Sequence, residues 1–249
     1  MEGSTPLWCE PGAGPLSEAG VLVCHGFSGT PESVRAWAQH LAGQGAAVAL
    51  PLLPGHGTSW QQMNLTTHED WYSVLPGALD WLAQRSRIQV VCGLSMGGAL
   101  ALRIAQSETV DGVVLVNPSI GTDQFRYRLV PWLSRFIPAA QGVGSDIRAP
   151  GISEPAYPYA PLKAVASMRQ LWAMVDRDLE QVRVPVLLFT SRTDHVVDGY
   201  SGRTLRARLR EVTDYWLENS YHVATMDNDA ALINQRSTDF IAGLLRGEP

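Results

Sequence analysis

The chain has 249 residues, 45% of them hydrophobic, and a formal charge of −5. That suits one α/β domain, or a domain with an insertion, with a core large enough to need no staples. The mild acidity leaves no electrostatic footprint for nucleic acid, and no apolar run approaches the roughly 20 residues that span a bilayer.

The stretch before Val21 has neither a basic start nor an apolar run, so it is not read as a signal peptide, and the expected setting is cytoplasmic. Short apolar runs then recur at Val21–Gly26, Ala46–Leu53, Ile88–Leu94, Gly112–Pro118 and Val184–Ser191. They are too short for helices and do not alternate, which predicts parallel strands buried on both faces. Asp214–Asn219 reads as the last strand. Cys24 and Cys92 lie inside these runs as small core residues, and three scattered cysteines make no disulfide framework.

Helical patterns fill the gaps. Pro31 reads as the first residue of a helix. Thr66 and Glu69 have capping-box spacing, ahead of an apolar stripe of Trp71, Val74, Leu75, Ala78 and Leu82 that Pro76 is expected to kink. "RTLRARLR", from Arg203, places Leu205 and Leu209 four apart and reads as a solvated helix face. Asp227–Leu245 carries the closing helix stripe. Strand alternating with helix predicts a doubly wound, mostly parallel sheet.

Ile120–Pro161 breaks the rhythm with six prolines and a run of aromatics that includes Phe125, Tyr127 and Trp132. It is too long for an ordinary connection and reads as a lid or binding loop rather than an oligomer interface. The expected organisation is therefore a core of residues 1–119 and 162–249, with a cap of residues 120–161 inserted after the strand ending near Asn117.

"CGLSMGG" places Ser95 between a predicted strand and a predicted helix, within a G-x-S-x-G pattern. A sharp turn there exposes a hydroxyl at the carboxyl end of the sheet, where open α/β sheets bind ligands. A serine needs a base, and in this fold its partners follow in the order Ser, acid, His. Of six histidines, His40 and His68 read as solvated, and His25 and His56 precede the serine. His195 adjoins the acid candidate and cannot easily turn back to receive its hydrogen bond. His222, after the last strand, is the candidate base. Asp194, just past the fifth strand, is the candidate acid; Asp198 is the runner-up and the expected cap of the next helix. The backbone N–H groups of Met96 and Phe27 are the expected oxyanion donors. His25 and Gly26 shape the loop that carries Phe27. No H-x-x-x-H, C-x-x-C or G-x-G-x-x-G unit appears, so neither a metal nor a nucleotide cofactor is expected.

Five segments, "HGFSGTP", "LPGHGTS", "GLSMGG", "SRTDHVV" and "SYHVATMDND", resemble in sequence and order the small bacterial carboxylesterase and monoacylglycerol lipase family of the α/β-hydrolase superfamily. The resemblance runs from about Val21 to about Leu245. It implies a serine ester hydrolase with Ser95, Asp194 and His222 as triad, Phe27 and Met96 as oxyanion donors, and a small-molecule ester, such as a monoacylglycerol, as substrate. "SDIRAPGISEPAY" resembles the family's cap, which implies that Ile147 touches the acyl chain and that Glu154 hydrogen-bonds a glycerol hydroxyl. Two departures stand: the chain is too short before Val21 for both antiparallel strands of the full fold, and Gly121–Val143 matches no cap pattern. A dehalogenase or epoxide hydrolase would want aspartate at position 95. A thioesterase or carbon–carbon bond hydrolase would keep the same triad, and a binding module on this fold would usually lose one member. Acyl length and oligomeric state are not legible.

Overall fold

The computed structural model of the chain describes residues 3–142 and 145–248. In chain order, β1 (Leu7–Cys9), β2 (Ala19–Cys24), α1 (Glu32–Gly43) and β3 (Ala47–Leu50) come first. Three helices follow, α2 (Trp60–Met63), α3 (His68–Ser73) and α4 (Leu75–Ala83). The centre of the molecule is β4 (Ile88–Leu94), α5 (Met96–Ser107) and β5 (Gly112–Val116). Residues 120–161 hold α6 (Arg126–Leu133) and the strands β6 (Ala139–Gln141) and β7 (Tyr159–Pro161). The chain then returns through α7 (Leu162–Arg177), β8 (Val186–Ser191), α8 (Tyr200–Arg208), β9 (Val212–Leu217) and α9 (Ala230–Arg246).

The main sheet has the order β1-β3-β2-β4-β5-β8-β9, antiparallel only at β1–β3. One antiparallel strand thus precedes β2, in keeping with the short N-terminal stretch. The continuous apolar strands follow from burial on both faces. Leu22, Cys24, Val91 and Leu115 point into one cluster, with Trp71, Leu100 and Leu171 from the helices of that side. Their neighbours Val21, Val23, Cys92 and Val116 point into the other, with Trp37 of α1 and Ile233 and Ile241 of α9. Trp37 Nε1 donates to Ser237 Oγ at 3.1 Å, so the large indole is buried with its N–H satisfied.

Several local readings are corrected. The capping box is Thr67–Asp70, not Thr66–Glu69: Thr67 N–H donates to Asp70 Oδ2 at 2.8 Å. The Thr66 hydroxyl is occupied elsewhere, accepting from Trp71 Nε1 at 2.9 Å and donating to the Met63 carbonyl. Pro76 does not kink one helix; the chain breaks at Val74, and proline sits in the first turn of α4, where its missing N–H costs least. Pro31 precedes α1 as its cap rather than opening it, and the last helix starts at Ala230. The helix face from Arg203 is solvated as read, with Leu205 buried and Arg203, Arg206 and Arg208 each paired to a carboxylate. Among the described residues no helix is long and apolar enough to cross a membrane.

Candidate active site

Ser95 sits between β4 and α5 with φ 56° and ψ −119°, a backbone conformation that side-chain-bearing residues seldom hold. The turn survives because Gly93 and Gly97, two residues to either side, have no side chains. A Cβ on Gly97 would lie 2.1 Å from the Cys24 carbonyl oxygen, so only glycine lets α5 start this close to β2. Ser95 N–H donates to the Val116 carbonyl at 3.0 Å, and the Ser95 carbonyl accepts from Gly98 and Ser119. The residue is 8% exposed, at the floor of a cavity on the carboxyl edge of the sheet.

His222 lines the same cavity, on the loop after β9. Its Nδ1 lies 2.8 Å from Asp194 Oδ2. The other oxygen of Asp194 accepts the N–H groups of Val196 and Val197 at 2.8 Å each, so the carboxylate is aimed by its own loop. Burial disfavours charge on both partners. The pairing outweighs that penalty in each: Asp194 is held below the usual carboxylate range, and His222 above the usual imidazole value. Glu154 and Asp146 add negative charge around the ring. Asp198 is elsewhere occupied, with Oδ2 accepting from Thr122 Oγ1 at 2.6 Å and from Asp123 N–H, and Oδ1 capping α8 at Tyr200.

Met96 is the first residue of α5, so its N–H has no acceptor within the helix. Phe27, half-buried, lines the cavity beside Ser95. Its loop is fixed by His25, whose Nε2 accepts the Leu53 N–H at 3.2 Å; that leaves Nδ1–H to donate to the Gly26 carbonyl. Burial keeps His25 neutral, with a pKa pushed down to about 4. His56 is pushed down to about 3, first by burial and then by His25, and it packs edge-on against His25, Phe27 and Trp71. His68 is not solvated: it is 7% exposed, with its N–H and Nδ1 both on Ser167 Oγ. His40 is half-buried on Thr238 Oγ1.

Residues between 120 and 161 line the cavity opposite Ser95. Tyr127 and Tyr157 line it, joined by Val165, Met168 and Trp172 of α7. Tyr157 Oη donates to the Gly55 carbonyl and accepts from Thr58 N–H, tying this stretch to the "PGHGTS" loop. Glu154 is half-buried in the wall; burial pushes its carboxyl up to about 7, although His222 and Ser33 oppose the shift. A Cβ on Gly29 would lie 2.4 Å from Glu154 Oε1, so that glycine makes room for the carboxyl. Ile147 is not on the cavity wall. It packs half-buried against the cluster formed by β2, α1 and α9, because the backbone around it is pinned to the His222 loop with Asp146, not Ile147, toward the cavity.

Two positioning residues escaped the sequence reading. Asn117, at φ 43°, exchanges hydrogen bonds with Ser191 and donates to the Tyr221 and His222 carbonyls, joining the ends of β5 and β8 to the His222 loop. Asp146 bonds both the His222 and His195 loops. Asn117 had a signal, an amide at the end of an apolar strand; Asp146 lay in a segment read only for substrate contacts. Among the described residues no group of three or more His, Cys, Asp or Glu could hold a metal ion.

The profile of the Alpha/beta hydrolase family matches residues 21–235. The chain belongs to that family. As an alpha/beta hydrolase it is 34% identical to a thermostable monoacylglycerol lipase of Bacillus sp. (strain H-257), over 97% of this chain and 96% of that one. It is 25% identical to a carboxylesterase of Bacillus subtilis (strain 168), over 90% and 92%. A solved structure from work on LipS and LipT, two metagenome-derived lipolytic enzymes, matches this alpha/beta hydrolase with a TM-score of 0.91 and 37% identity, covering 97% of this chain and 98% of that one.

Proposed function

We propose that this alpha/beta hydrolase is a carboxylic ester hydrolase that works through an acyl-enzyme on Ser95. The observation that carries the reading is the 2.8 Å pair of His222 Nδ1 and Asp194 Oδ2, with His222 on the wall of the cavity that holds Ser95. Asp194 fixes the tautomer that leaves Nε2 free to take the Ser95 proton, and it stabilises the imidazolium as it forms. The Ser95 oxygen attacks the ester carbonyl, and the oxyanion settles on the N–H groups of Met96 and Phe27. His222 then gives its proton to the leaving alcohol; in the second half it takes a proton from the water that attacks the acyl carbon and returns it to the Ser95 oxygen as the acid is released.

The cavity's apolar wall supports a substrate with one acyl chain, a monoacylglycerol or a short-to-medium acyl ester, and the relatives include a monoacylglycerol lipase and a carboxylesterase. The apolar wall of Val165, Met168 and Trp172 suits methylenes, each contributing about 0.8 kcal/mol when taken from water. Glu154 gives the cavity one polar side suited to glycerol hydroxyls. Residues 120–161 act as the cap over both. Ile147, away from the cavity, keeps no place in this reading.

A hydrolysis panel tests it: 1-monoacylglycerols, triacylglycerols, aryl esters and an acyl-CoA. Monoacylglycerols and aryl esters should turn over, and triacylglycerol should be poor because the cavity takes one chain. At pH 8, where the Glu154 carboxyl is ionised, Glu154→Ala should raise KM for monoacylglycerol about tenfold or more, since a hydrogen bond to a charged group contributes roughly 1.5–3 kcal/mol, and leave aryl esters nearly unchanged. Equal losses on both would make the protein a general carboxylesterase; preference for the acyl-CoA would make it a thioesterase.

A further inference from the structure

Asp146 lies in the cap, 12% exposed at its side chain, on the wall of the cavity shared by Ser95 and His222. Its Oδ2 accepts two backbone N–H groups, those of His222 and His195, each at 3.1 Å. Its Oδ1 lies 2.8 Å from His195 Nδ1. Its main-chain carbonyl accepts the Val223 N–H at 3.1 Å. One cap residue therefore grips two loops, the one after β8 that carries Asp194 and the one after β9 that carries His222.

The grip is itself anchored. Asp227, 6% exposed, accepts the N–H groups of Arg148 and Ala149 at 2.7 and 2.9 Å, and that of Tyr221 at 2.9 Å. Ser145 Oγ accepts the Glu154 N–H at 2.9 Å. Neither Asp194 nor His222 reaches across to fix the other's backbone. The 2.8 Å spacing of their side chains depends on two loops that end neighbouring strands, and Asp146 bonds to the backbone of both within a few residues of the reacting groups.

We infer that Asp146 is a positioning residue for the acid–base pair, a cap carboxylate that sets the spacing of His222 and Asp194 and so makes chemistry depend on the cap being seated. This rests on the triad reading above. It accounts for why this carboxylate on the cavity wall spends its acceptors on the two loops that carry the acid and the base. A displacement of about 1 Å at a reacting centre costs on the order of 10² in rate, which is ample leverage for a residue that acts through the two loops. The carboxylates facing His222 are Asp194, Glu154 and Asp146, and the imidazole of His195 faces Asp146 from the neighbouring loop. Removing the charge of Asp146 takes away one of the three that favour imidazolium, so the ring stays neutral to lower pH.

The test compares Asp146→Asn and Asp146→Ala with the parent on a soluble aryl ester across pH 5 to 9, with circular dichroism to establish folding. Asp146→Ala should lose about tenfold to a hundredfold in kcat with KM within about twofold. Asp146→Asn keeps one acceptor oxygen and should recover part of that kcat, but both variants should move the acid limb of kcat/KM to lower pH. If the alanine variant does not fold, the asparagine variant decides. A kcat unchanged in the folded variant, or a lowered kcat with the acid limb unmoved, would overturn the inference and leave Asp146 a structural tie. Fluorophosphonate labelling of Ser95 in the parent separates the two failures: labelling without an Asp146 effect refutes only this inference, whereas no labelling removes the triad reading beneath it.

Discussion

At the scale of single residues, the two aspartates after β8 differ in what they hold. Asp194 meets His222, and Asp198 ties down Thr122, Asp123 and the start of α8. Asp194→Asn should therefore cost on the order of 10⁴ in kcat by stranding His222 in the wrong tautomer. Asp198→Asn, which keeps an acceptor oxygen, should cost a few-fold at most; losses in the reverse order would make Asp198 the acid. Because the charges around His222 hold its pKa above the ordinary value near 6.5, activity should fall as acid is added from above that value, not below it. The pairing also links stability to pH. The raised pKa of His222 contributes stability that is complete below about 6.5 and fades as pH rises through its folded value; the lowered one of Asp194 contributes above about 3.9 and fades as pH falls through its own. Glu154 runs the other way. Its carboxyl, pushed up to about 7, prefers to be neutral in the fold, so ionising it costs stability as pH rises from the usual range toward 7. Glu154→Gln should leave Tm unchanged near pH 4 and raise it at pH 8. A gap that does not widen with pH would show that the carboxyl ionises there without penalty.

Among the elements, the site is a set of strand ends held in register by buried side chains. Asn117 joins three of them, and it tolerates the positive φ its place demands because asparagine visits that region more readily than most residues. Asn117→Ala should destabilise the protein by about 2 kcal/mol or more, since it leaves Ser191 N–H and the His222 carbonyl short of partners in a buried setting, while the Tyr221 carbonyl keeps the Ser191 hydroxyl. Urea denaturation measures this, and a change under about 0.5 kcal/mol would mean that water replaces the amide. The five inner strands of the sheet were legible in the sequence because burial on both faces makes an apolar run, whereas β1, β6 and β7 carry none. Element ends were less so. Thr66 and Thr67 are equally good caps by type, and the choice fell to which hydroxyl the Trp71 indole claims, a contact made only once the helix has folded. His68 looked solvated because its partner, Ser167, is 99 residues away.

In the whole molecule, Ser95, Asp194 and His222 come from three loops spread over more than half of the chain, and the parallel order β4-β5-β8-β9 brings their strand ends side by side. That much could be read in advance, since motif, chain order and fold class constrain one another. The cap could not. Its contacts with the core, Asp146 to the His222 loop and Tyr157 to the Gly55 loop, join segments with no periodic pattern, and Ile147 faces away from where resemblance put it. The account stands on Ser95 being the one nucleophile. Intact-mass spectrometry after fluorophosphonate treatment tests this most directly, with the parent and Ser95→Ala in parallel. The parent should gain one adduct, mapped to the peptide that holds Ser95, and lose its esterase activity in step, while Ser95→Ala should stay unmodified. An adduct on another residue, or one that persists in Ser95→Ala, would contradict the account.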